Sequence, residues 1–443
     1  MRIGLFTDSY LPQVSGVATS IETLANQLTS MGHNVFIFTT TDPQVDPEND
    51  EKNVIRLRSI PLISLAERRI VLKGVVAAYQ VAQTYHLDII HTQTEFGVGM
   101  LGKLVARQLK IPVIHTLHTK YEDYVHYIAK GRIIRPGMVK YIIKNYLHGV
   151  DGVIAPSDIV MDTINQYGVS IEKRVIPTGI KLDKFVRPEI TQADVAELRT
   201  SIGIKQQDIM LLSLSRLAEE KNIQAIITKL STIRDQVSVK LVIVGSGPYQ
   251  DKLQKLVSDL NLTDIVVFTG LVDNSQTAYY YKAADFFISA STSETQGLTY
   301  IEALASGTPV LAADNAYLRT LITDPAFGCL FEDDTHIPDT ILKAISTTPA
   351  FDQAKYNQKL YAISAECFAA RVYEFYLDKI ISNNHYLAQK GESIPRQTAR
   401  LFRQAPAKTV KTVVRTPKKV AYFAKKAIKH AKILNKYGKI KLK

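Results

Sequence analysis

The stretch Glu294-Thr-Gln-Gly-Leu-Thr-Tyr-Ile-Glu302 contains two glutamates eight positions apart, with Gly297 between them. It follows an apolar run at residues 286–291, which predicts a strand, and it precedes a helix predicted from about Thr299. The amides of Gly297, Leu298 and Thr299 would then lie at the helix N-terminus, where unpaired N–H groups and the helix dipole favour a phosphate. The pattern therefore predicts a strand–turn–helix unit of an α/β fold, with an anion site at its turn.

The two carboxylates of this stretch can reach opposite ends of one elongated ligand, because Glu294 precedes the turn and Glu302 lies inside the helix. A nucleotide-sugar is such a ligand. Glu294 would accept hydrogen bonds from sugar hydroxyls, Glu302 from ribose hydroxyls, and the turn amides would face the diphosphate. The alternative is an ordinary helix with one acid at its dipole-favoured start and one on its solvated face. The spacing alone leaves both interpretations open.

A second charged pair lies upstream, where the apolar run at residues 209–215 leads into Arg216 and then Lys221. Both cations would lie at the C-terminal edge of a parallel sheet, where α/β proteins bind ligands. Two fixed cations beside a leaving diphosphate would stabilise the charge that develops as a glycosidic bond breaks, as a metal ion otherwise does. A solvated turn with Lys221 paired to Glu219 or Glu220 is the alternative.

Short β-branched runs alternate with helix-length segments along most of the chain, which indicates parallel sheets covered by helices. The charged stretch at residues 181–205 separates two such cycles. We therefore predict two doubly wound, Rossmann-like domains that face each other across a cleft. The predicted strands are residues 2–8, 34–40, 54–58, 88–92, 112–118, 152–157 and 174–178 in the first domain, and 209–215, 240–245, 265–270, 286–291, 309–313 and 328–332 in the second.

A dinucleotide-dependent dehydrogenase is another interpretation of the same architecture. Neither Gly245-Ser-Gly247 nor residues 12–16 spell the full Gly-x-Gly-x-x-Gly of a pyrophosphate turn. We interpret Gly245 as part of a strand-to-helix turn in the nucleotide half of the cleft, and Val272 as part of a loop near the base. Gly16 would bring its amide to a donor phosphate or sugar at a helix start, unless it is a plain turn glycine.

Two sets of motifs run along the chain. One set is Ser215-Arg216-Leu217, Glu220-Lys221-Asn222, the two glutamates above and Ala305-Ser-Gly307-Thr-Pro309-Val310; the other is Pro12-Gln-Val-Ser-Gly16-Val17, His91-Thr-Gln-Thr94-Glu95-Phe96-Gly97 and Thr116-Leu-His118-Thr119-x-Tyr121-Glu122-Asp123-Tyr124-x-His126-Tyr127. The first set resembles the retaining GT-B-type glycosyltransferases that carry an E-x7-E motif. The second, N-terminal set resembles more narrowly the bacterial diacylglycerol α-glucosyltransferases, and the similarity covers roughly residues 1–385.

The resemblance implies a GT-B enzyme in which His118 lies beside the transferred sugar; a capped histidine at a strand edge is the alternative. Retention would come from same-face attack, with the diphosphate oxygen accepting the acceptor's proton. A covalent intermediate would need a carboxylate close behind the anomeric carbon, and the sequence does not place Glu95, Glu122 or Asp123 there. The predicted catalytic residues are His118, Arg216, Lys221 and Glu294, and the predicted donor-binding residues are Gly16, Arg216, Lys221, Gly245, Val272, Glu294, Gly297, Leu298, Thr299 and Glu302.

No metal ion or other cofactor is predicted. His115 and His118 are three positions apart on one predicted strand, so their rings should point to opposite faces and are not expected to form a metal-binding pair. No Asp-x-Asp occurs near the cleft strands, and Arg216 and Lys221 already supply positive charge. The nucleotide-sugar is treated as a substrate.

The composition excludes several classes of protein. A chain of 443 residues, 46% of them hydrophobic, suffices for two domains with full cores. Two cysteines, Cys329 and Cys367, imply no disulfide framework and fit a reducing cytoplasm. The apolar run at residues 3–6 is too short for a secretory signal, and no stretch reaches the roughly 18 uncharged apolar residues of a spanning helix. We expect a soluble or peripheral protein.

The basic charge is concentrated at the C-terminus. Residues 386–443 carry 17 Lys and Arg against one acid, Glu392, which leaves the other 385 residues at −4 of the total +12. Apolar residues recur among these cations, so the tail is predicted to be basic, amphipathic and membrane-binding. Nucleic acid, which we do not expect as a partner, and a disordered solubilising tail are the alternatives. The tail cations chosen as membrane contacts are Lys418, Lys419, Lys425 and Lys426.

Two N-terminal segments also mix cations with aliphatic residues, at residues 63–73 and 130–144. Each could contact a membrane, or could be an ordinary amphipathic helix with its apolar side in the core. The predicted acceptor and membrane residues here are Tyr121, Glu122, Arg68, Arg69, Lys140 and Lys144.

The predicted organisation is an acceptor-binding domain at residues 1–180, a nucleotide-sugar-binding domain at 181–360, a helix crossing back to the first domain at 361–385 and the tail at 386–443. The predicted function is retaining transfer of glucose, from UDP-glucose, to 1,2-diacylglycerol at the inner face of the cell membrane, forming an α-glucosyl lipid. The alternatives are a polysaccharide, polyol or other glycolipid acceptor, and a non-catalytic membrane- or nucleic-acid-binding scaffold.

Overall fold

The computed structural model describes residues 1–13, 15–45, 53–62, 65–71, 74–120, 136–291 and 293–395. The chain divides into two compact units. Among the described residues, the first unit comprises Met1–Gly179 together with residues 365–395, and the second comprises Ile180–Ser364.

The first unit is built on a seven-stranded parallel sheet with strand order β3-β2-β1-β6-β7-β8-β9. A separate antiparallel hairpin joins β4 to β5. The strands are β1 Arg2–Phe6, β2 Asn34–Thr40, β3 Val54–Leu57, β4 Ser59–Leu62, β5 Leu65–Val71, β6 Ile89–Thr92, β7 Val113–Thr116, β8 Gly152–Ala155 and β9 Lys173–Val175.

Helices cover both faces of this sheet, as near-continuous apolar strands require. The helices are α1 Gly16–Ser30, α2 Val75–Thr84, α3 Gly97–Leu109, α4 Pro136–Leu147, α5 Asp158–Gln166 and α15 Ala365–Gln389. Helices α2 to α5 bury apolar residues against one face, and α1 and α15 bury theirs against the other. The Tyr376 hydroxyl of α15 lies 2.8 Å from Nδ1 of His91 on β6, so this C-terminal helix is part of the first unit's core.

The second unit is built on a six-stranded parallel sheet with strand order β12-β11-β10-β13-β14-β15. Its strands are β10 Ile209–Leu214, β11 Val239–Val244, β12 Val266–Gly270, β13 Phe286–Ser289, β14 Val310–Ala313 and β15 Gly328–Phe331. Its helices are α6 Asp183–Val186, α7 Gln192–Ser201, α8 Ile223–Leu230, α9 Gln250–Asp259, α10 Thr277–Ala283, α11 Leu298–Ala305, α12 Ala316–Leu321, α13 Ile337–Ser346 and α14 Gln353–Ala362.

The predicted fold class of two doubly wound, parallel-sheet domains is confirmed, and each predicted strand coincides with an observed strand to within a few residues. One local alternative is wrong: within residues 63–73, Leu65–Val71 forms a strand of the hairpin and not an amphipathic helix. The helix predicted at residues 361–385 corresponds to α15, which is separated from α14 by Ile363 and Ser364, and Ser364 pairs with Ile180. The predicted tail lies outside the described residues.

Candidate functional site

The carboxyl ends of β10 and β13 lie side by side where the strand order of the second sheet reverses, which is where open α/β sheets bind ligands. The chain leaving β10 carries Lys221 in a short 3-10 turn, and the chain leaving β13 carries Glu294. Lys221 Nζ donates to Glu294 Oε1 at 2.5 Å. Their side chains are only 18% and 21% exposed. The predicted cation and carboxylate therefore meet at one strand edge.

Arg216 lies in the turn that directly follows β10. Its guanidinium donates to Glu220 Oε1 at 3.1 Å, and its side chain is 55% exposed. The Ser291 hydroxyl donates to the Glu220 carbonyl oxygen at 3.3 Å, which ties the turn that carries both cations to the end of β13. Because a guanidinium has five donors and this one is half exposed, it can still bind an anion from solvent.

Two glycines hold the Arg216 turn in place. The turn after β11 packs so closely on the chain after β10 that a Cβ at Gly245 would lie 2.0 Å from the Ser215 carbonyl oxygen, and one at Gly247 would lie 2.3 Å from that of Leu217. Gly245 also has a φ of +133°, which L-residues rarely adopt. The predicted Gly-x-Gly turn therefore acts here by supporting the neighbouring Arg216 turn.

The stretch that opens α11 has the geometry of an anion site. The helix begins at Leu298, one residue earlier than expected, and its N-cap Gly297 has a φ of +74° and supplies no side-chain cap. A Cβ at Gly297 would lie 2.4 Å from the Tyr300 ring. The first amides of α11, including those of Leu298 and Thr299, thus keep the unpaired donors and positive dipole end that favour a phosphate.

Glu302, the second glutamate of the motif, accepts a hydrogen bond from the Tyr281 hydroxyl at 2.8 Å. Burial raises the pKa of Glu302 to about 7, although this hydrogen bond and the charge of Lys184 act in the opposite direction. Burial also raises the pKa of Tyr281 well above its usual value, so the phenol stays a donor. Glu302 therefore does not lie on a freely solvated face.

Two buried hydroxyls at the same strand ends have no partner within the described residues. They are Ser215 Oγ, directly before Arg216, and Ser293 Oγ, directly before Glu294. Buried polar groups are normally hydrogen-bonded. Both hydroxyls lie in the turns that carry Arg216 and Glu294, so each turn keeps an unsatisfied polar group next to a motif residue.

Val272, predicted to lie near a nucleotide base, follows β12 and is half-buried. Its neighbour Leu271 is 79% exposed. Since β12 lies beside β11, this loop emerges at the same edge of the sheet as the turn of Gly245.

The first unit holds the remaining predicted residues. Gly16 is the first residue of α1, and a Cβ there would meet no atom within 4 Å, so the surrounding chain does not require a glycine. His118 follows β7, and its Nε2 lies 2.8 Å from Oε1 of Gln93, which follows β6. Burial lowers the pKa of His118 to about 3, with a further contribution from His115.

Glu95 is now placed. It is buried, and His115 Nε2 lies 3.1 Å from its Oε1. His115 Nδ1 also lies 2.9 Å from the Thr92 hydroxyl. A carboxylate held in this way is not presented to solvent as a nucleophile. Asp123, Tyr121 and Glu122 lie outside the described residues.

The predicted membrane residues are only partly described. Lys140 on α4 is exposed and Lys144 is half-buried. Arg68 and Arg69 lie on β5, and their side chains are not among those described. Lys418, Lys419, Lys425 and Lys426 lie outside the described ranges. Along the part of the chain that is described, no helix is both long and apolar enough to cross a bilayer.

No group of three or more His, Cys, Asp or Glu residues that could hold a metal ion occurs among the residues described. The absence of a metal requirement stays a prediction.

Several features of the site were not predicted from the sequence. They are the contacts of Tyr281 with Glu302 and of Gln93 with His118, and the unpartnered hydroxyls of Ser215 and Ser293. Gln93 and Ser215 lie inside quoted motifs and Ser293 directly precedes Glu294, whereas nothing in the sequence marks Tyr281.

Comparison with known proteins identifies both halves of the chain. Residues 14–184 match the model of Glycosyltransferase Family 4, and residues 194–360 match that of Glycosyl transferases group 1. The chain is 56% identical to an alpha-monoglucosyldiacylglycerol synthase of Streptococcus pneumoniae, over 87% of each chain. It is 32% identical to the enzyme of the same name from Acholeplasma laidlawii, over 88% of this chain and all of that one.

Solved structures support the same architecture. Sucrose-phosphate synthase from Thermosynechococcus elongatus aligns with a TM-score of 0.66 at 23% identity, over 86% of this chain and 99% of that one. HepE of Anabaena, solved in complex with UDP, aligns with a TM-score of 0.64 at 19% identity, over 88% and 99%. At these identities the likeness concerns the fold alone, and it is the GT-B fold expected from the motifs.

Proposed function

The chain is a glycosyltransferase and belongs to the family that includes the alpha-monoglucosyldiacylglycerol synthases; from this premise we propose that it transfers glucose from UDP-glucose to 1,2-diacylglycerol at the membrane surface. The anomeric configuration is retained, and the product is alpha-monoglucosyldiacylglycerol. The names of the two relatives support the lipid acceptor. The geometric observation that carries the transfer chemistry is the 2.5 Å contact between Lys221 and Glu294 at the strand edge.

The charged side chains of the site and the first amides of α11 each have a physical role in this reaction. Arg216 and Lys221 neutralise the diphosphate as the glycosidic bond breaks and negative charge develops on the leaving oxygen. Glu294 accepts hydrogen bonds from sugar hydroxyls, and the α11 amides face the diphosphate. The diphosphate oxygen then takes the proton of the attacking hydroxyl on the same face of the sugar.

The direct test supplies purified protein with each of four radiolabelled nucleotide-sugars and diacylglycerol vesicles. We expect labelled α-glucosyl lipid from UDP-glucose. Parallel reactions with polysaccharide and polyol acceptors distinguish the same-fold alternative. Turnover with those acceptors but none with diacylglycerol would reject the lipid assignment, and no turnover with any pair would favour a non-catalytic scaffold.

The raised pKa of Glu302 predicts that donor binding depends on pH. The ionised carboxylate offers two acceptor oxygens to ribose hydroxyls, whereas the protonated form loses one of them. Because the pKa of Glu302 is raised to about 7, ionisation occurs as the pH rises through that value. We expect the KM for the donor to fall several-fold between about pH 6 and pH 8, as measured by initial rates at saturating diacylglycerol.

Glu302→Gln is the matched variant for this prediction, because it keeps the shape of the side chain and removes the titration. It should show a KM that hardly changes across the same pH range. If wild type and variant show the same pH dependence, another group is responsible.

The outer surface of α3 and α4 supports contact with an anionic membrane. These helices pack together, with Lys103 Nζ 4.3 Å from the ring centre of Tyr146. On α4, Tyr141 and Ile142 are 69% and 47% exposed. Neither helix nor the neighbouring α2 contains a single Asp or Glu. Helices that expose apolar side chains and cations and carry no carboxylate of their own suit the inner, anionic leaflet.

Replacing both Tyr141 and Ile142 by glutamate is expected to lower the affinity for anionic vesicles by at least about 10-fold. Each native side chain that enters the interface is worth about 1.5–3 kcal/mol, and each new carboxylate is repelled. Vesicle sedimentation measures the change. Met31→Glu, at the end of α1 on the other face of the sheet, is the control. Unchanged sedimentation of the double variant would show that this surface does not dock, and would leave the predicted tail as the membrane contact.

A further inference from the structure

Gln93 and His118 form a buried pair at the carboxyl edge of the first sheet. Strands β6 and β7 are neighbours in parallel register, with Thr92 opposite His115, so the residues that follow them are brought together. Gln93 Oε1 lies 2.8 Å from His118 Nε2. Gln93 is 3% exposed, and its side chain is therefore fixed by the protein rather than by solvent.

This contact bears on the state of the imidazole. With the side-chain oxygen of Gln93, which can only accept, facing Nε2, the neutral ring would carry its proton on Nε2 and its lone pair on Nδ1. The ionisable neighbours that face this region are His115 and His91, both buried, and Glu95, which contacts His115. A neutral ring adds no positive charge beside an oxocarbenium-like centre.

We infer that Gln93 is a positioning residue that holds His118 with its proton on Nε2, so that Nδ1 accepts a hydrogen bond from a hydroxyl of the transferred sugar. This inference rests on the proposed function, in which a sugar is transferred, and on the family resemblance, which implies that His118 lies beside that sugar. Gln93 itself acts through His118. It fixes the ring's orientation before the donor arrives, which lowers the cost of ordering at the reaction step.

The amide nitrogen of Gln93 supports the same assignment. Gln93 Nε2 is buried and has no hydrogen-bond partner among the described residues. An unsatisfied buried donor costs about 1–3 kcal/mol. The side chain therefore leaves one donor unsatisfied while its oxygen faces His118, as expected of a residue that is placed for function rather than for stability.

Two variants of Gln93 separate positioning from packing. Gln93→Met keeps the length of the side chain and removes the acceptor, so we expect kcat to fall about 10- to 100-fold with little change in the KM for the donor. Gln93→Glu keeps an acceptor but adds charge, so we expect it to raise the pKa of His118 and to add an acidic limb to the pH profile of kcat. A residue that only fills space would produce no such limb.

Asn384→Leu is the control, because it removes another buried amide from the same unit, on α15. It should leave both kcat and the pH profile unchanged. The loss in Gln93→Met should also appear in donor hydrolysis without diacylglycerol, because the sugar is present in both reactions. A loss confined to lipid transfer would place the contact on the acceptor and overturn the inference.

Nitrogen NMR of histidine-labelled protein shows which ring nitrogen of His118 carries the proton. This readout does not depend on which reaction the protein catalyses. The His118 signals are assigned by their disappearance in His118→Gln. A protonated Nε2 in the wild type that is lost or mixed in Gln93→Met supports the inference, and a protonated Nδ1 overturns it. If the tautomer is as expected but wild-type protein shows no turnover, the proposed function fails. If turnover is present and folded Gln93→Met keeps the wild-type kcat, the positioning role fails.

Discussion

Replacing Lys221 by alanine is expected to lower kcat/KM for the nucleotide-sugar by about 10²- to 10³-fold, the loss typical of removing one preorganised donor to a developing negative charge. The wild-type ammonium group lies 2.5 Å from Glu294 in a site where both side chains are about four-fifths buried. Without it, the diphosphate loses a cation and meets an unbalanced carboxylate. Initial rates over a range of donor concentrations measure the loss.

Lys355→Ala is the matched control for this prediction. Lys355 also forms an ion pair in the second unit, with its Nζ 2.8 Å from Asp324 Oδ2, but its side chain is 60% exposed. Exposed pairs contribute little to stability, so this variant should keep the wild-type rate and melting temperature. If Lys221→Ala keeps kcat/KM within about threefold of wild type, the leaving group is stabilised by other residues, because removal of an essential donor lowers kcat/KM far more.

A double-mutant cycle tests whether Lys221 and Glu294 act as one unit. Glu294→Gln alone should also lower kcat/KM strongly, because the neutral amide cannot hold Lys221 by charge or bind sugar hydroxyls as well. If the two residues act together, the double variant is only slightly worse than either single variant. If the losses of the two single variants, expressed as free energies, add up in the double variant, Lys221 and Glu294 have separate roles.

The architecture was predictable because its strands carry their own signal. Runs such as Ile209–Leu214 and Val239–Val244 are almost wholly apolar, and such runs occur where a parallel sheet is covered on both faces. The hairpin formed by Leu65–Val71 was not predicted, because its cations and aliphatic residues also suited an interfacial segment. The break between α14 and α15 depends on the pairing of Ile180 with Ser364, residues far apart in the sequence.

The candidate site was predictable only where the residues stand in a motif. Lys221 and Glu294 each follow a strand, and neighbouring strand ends bring them together. The partner of Glu302 could not be read from spacing, because Tyr281 lies on a different helix. Its raised pKa was hidden for the same reason, since it depends on how the surrounding helices bury the carboxyl group rather than on its neighbours in the chain.

Replacing Gly245 by alanine is expected to destabilise the protein by about 2–4 kcal/mol and to raise the KM for the donor by at least about 10-fold. Its φ of +133° is costly for any residue with a Cβ, and that atom would lie 2.0 Å from the Ser215 carbonyl oxygen. The strain must be relieved by moving Ser215, which directly precedes Arg216. Denaturant unfolding measures the first effect, and donor kinetics at low temperature measure the second.

Gly328→Ala separates these two effects, because it imposes the same strain at the other edge of the same sheet. Gly328 has a φ of +129°, and a Cβ there would lie 1.8 Å from the Val310 carbonyl oxygen. Gly328 and Val310 are the first residues of β15 and β14. They therefore lie at the amino ends of the strands, opposite the edge of the sheet that carries Arg216 and Lys221. Gly328→Ala should therefore lose stability comparably, while its folded fraction keeps the wild-type KM. If the donor KM rises equally in both variants, the general loss of stability of the second unit weakens donor binding. The Gly245 turn would then have no specific role in positioning Arg216.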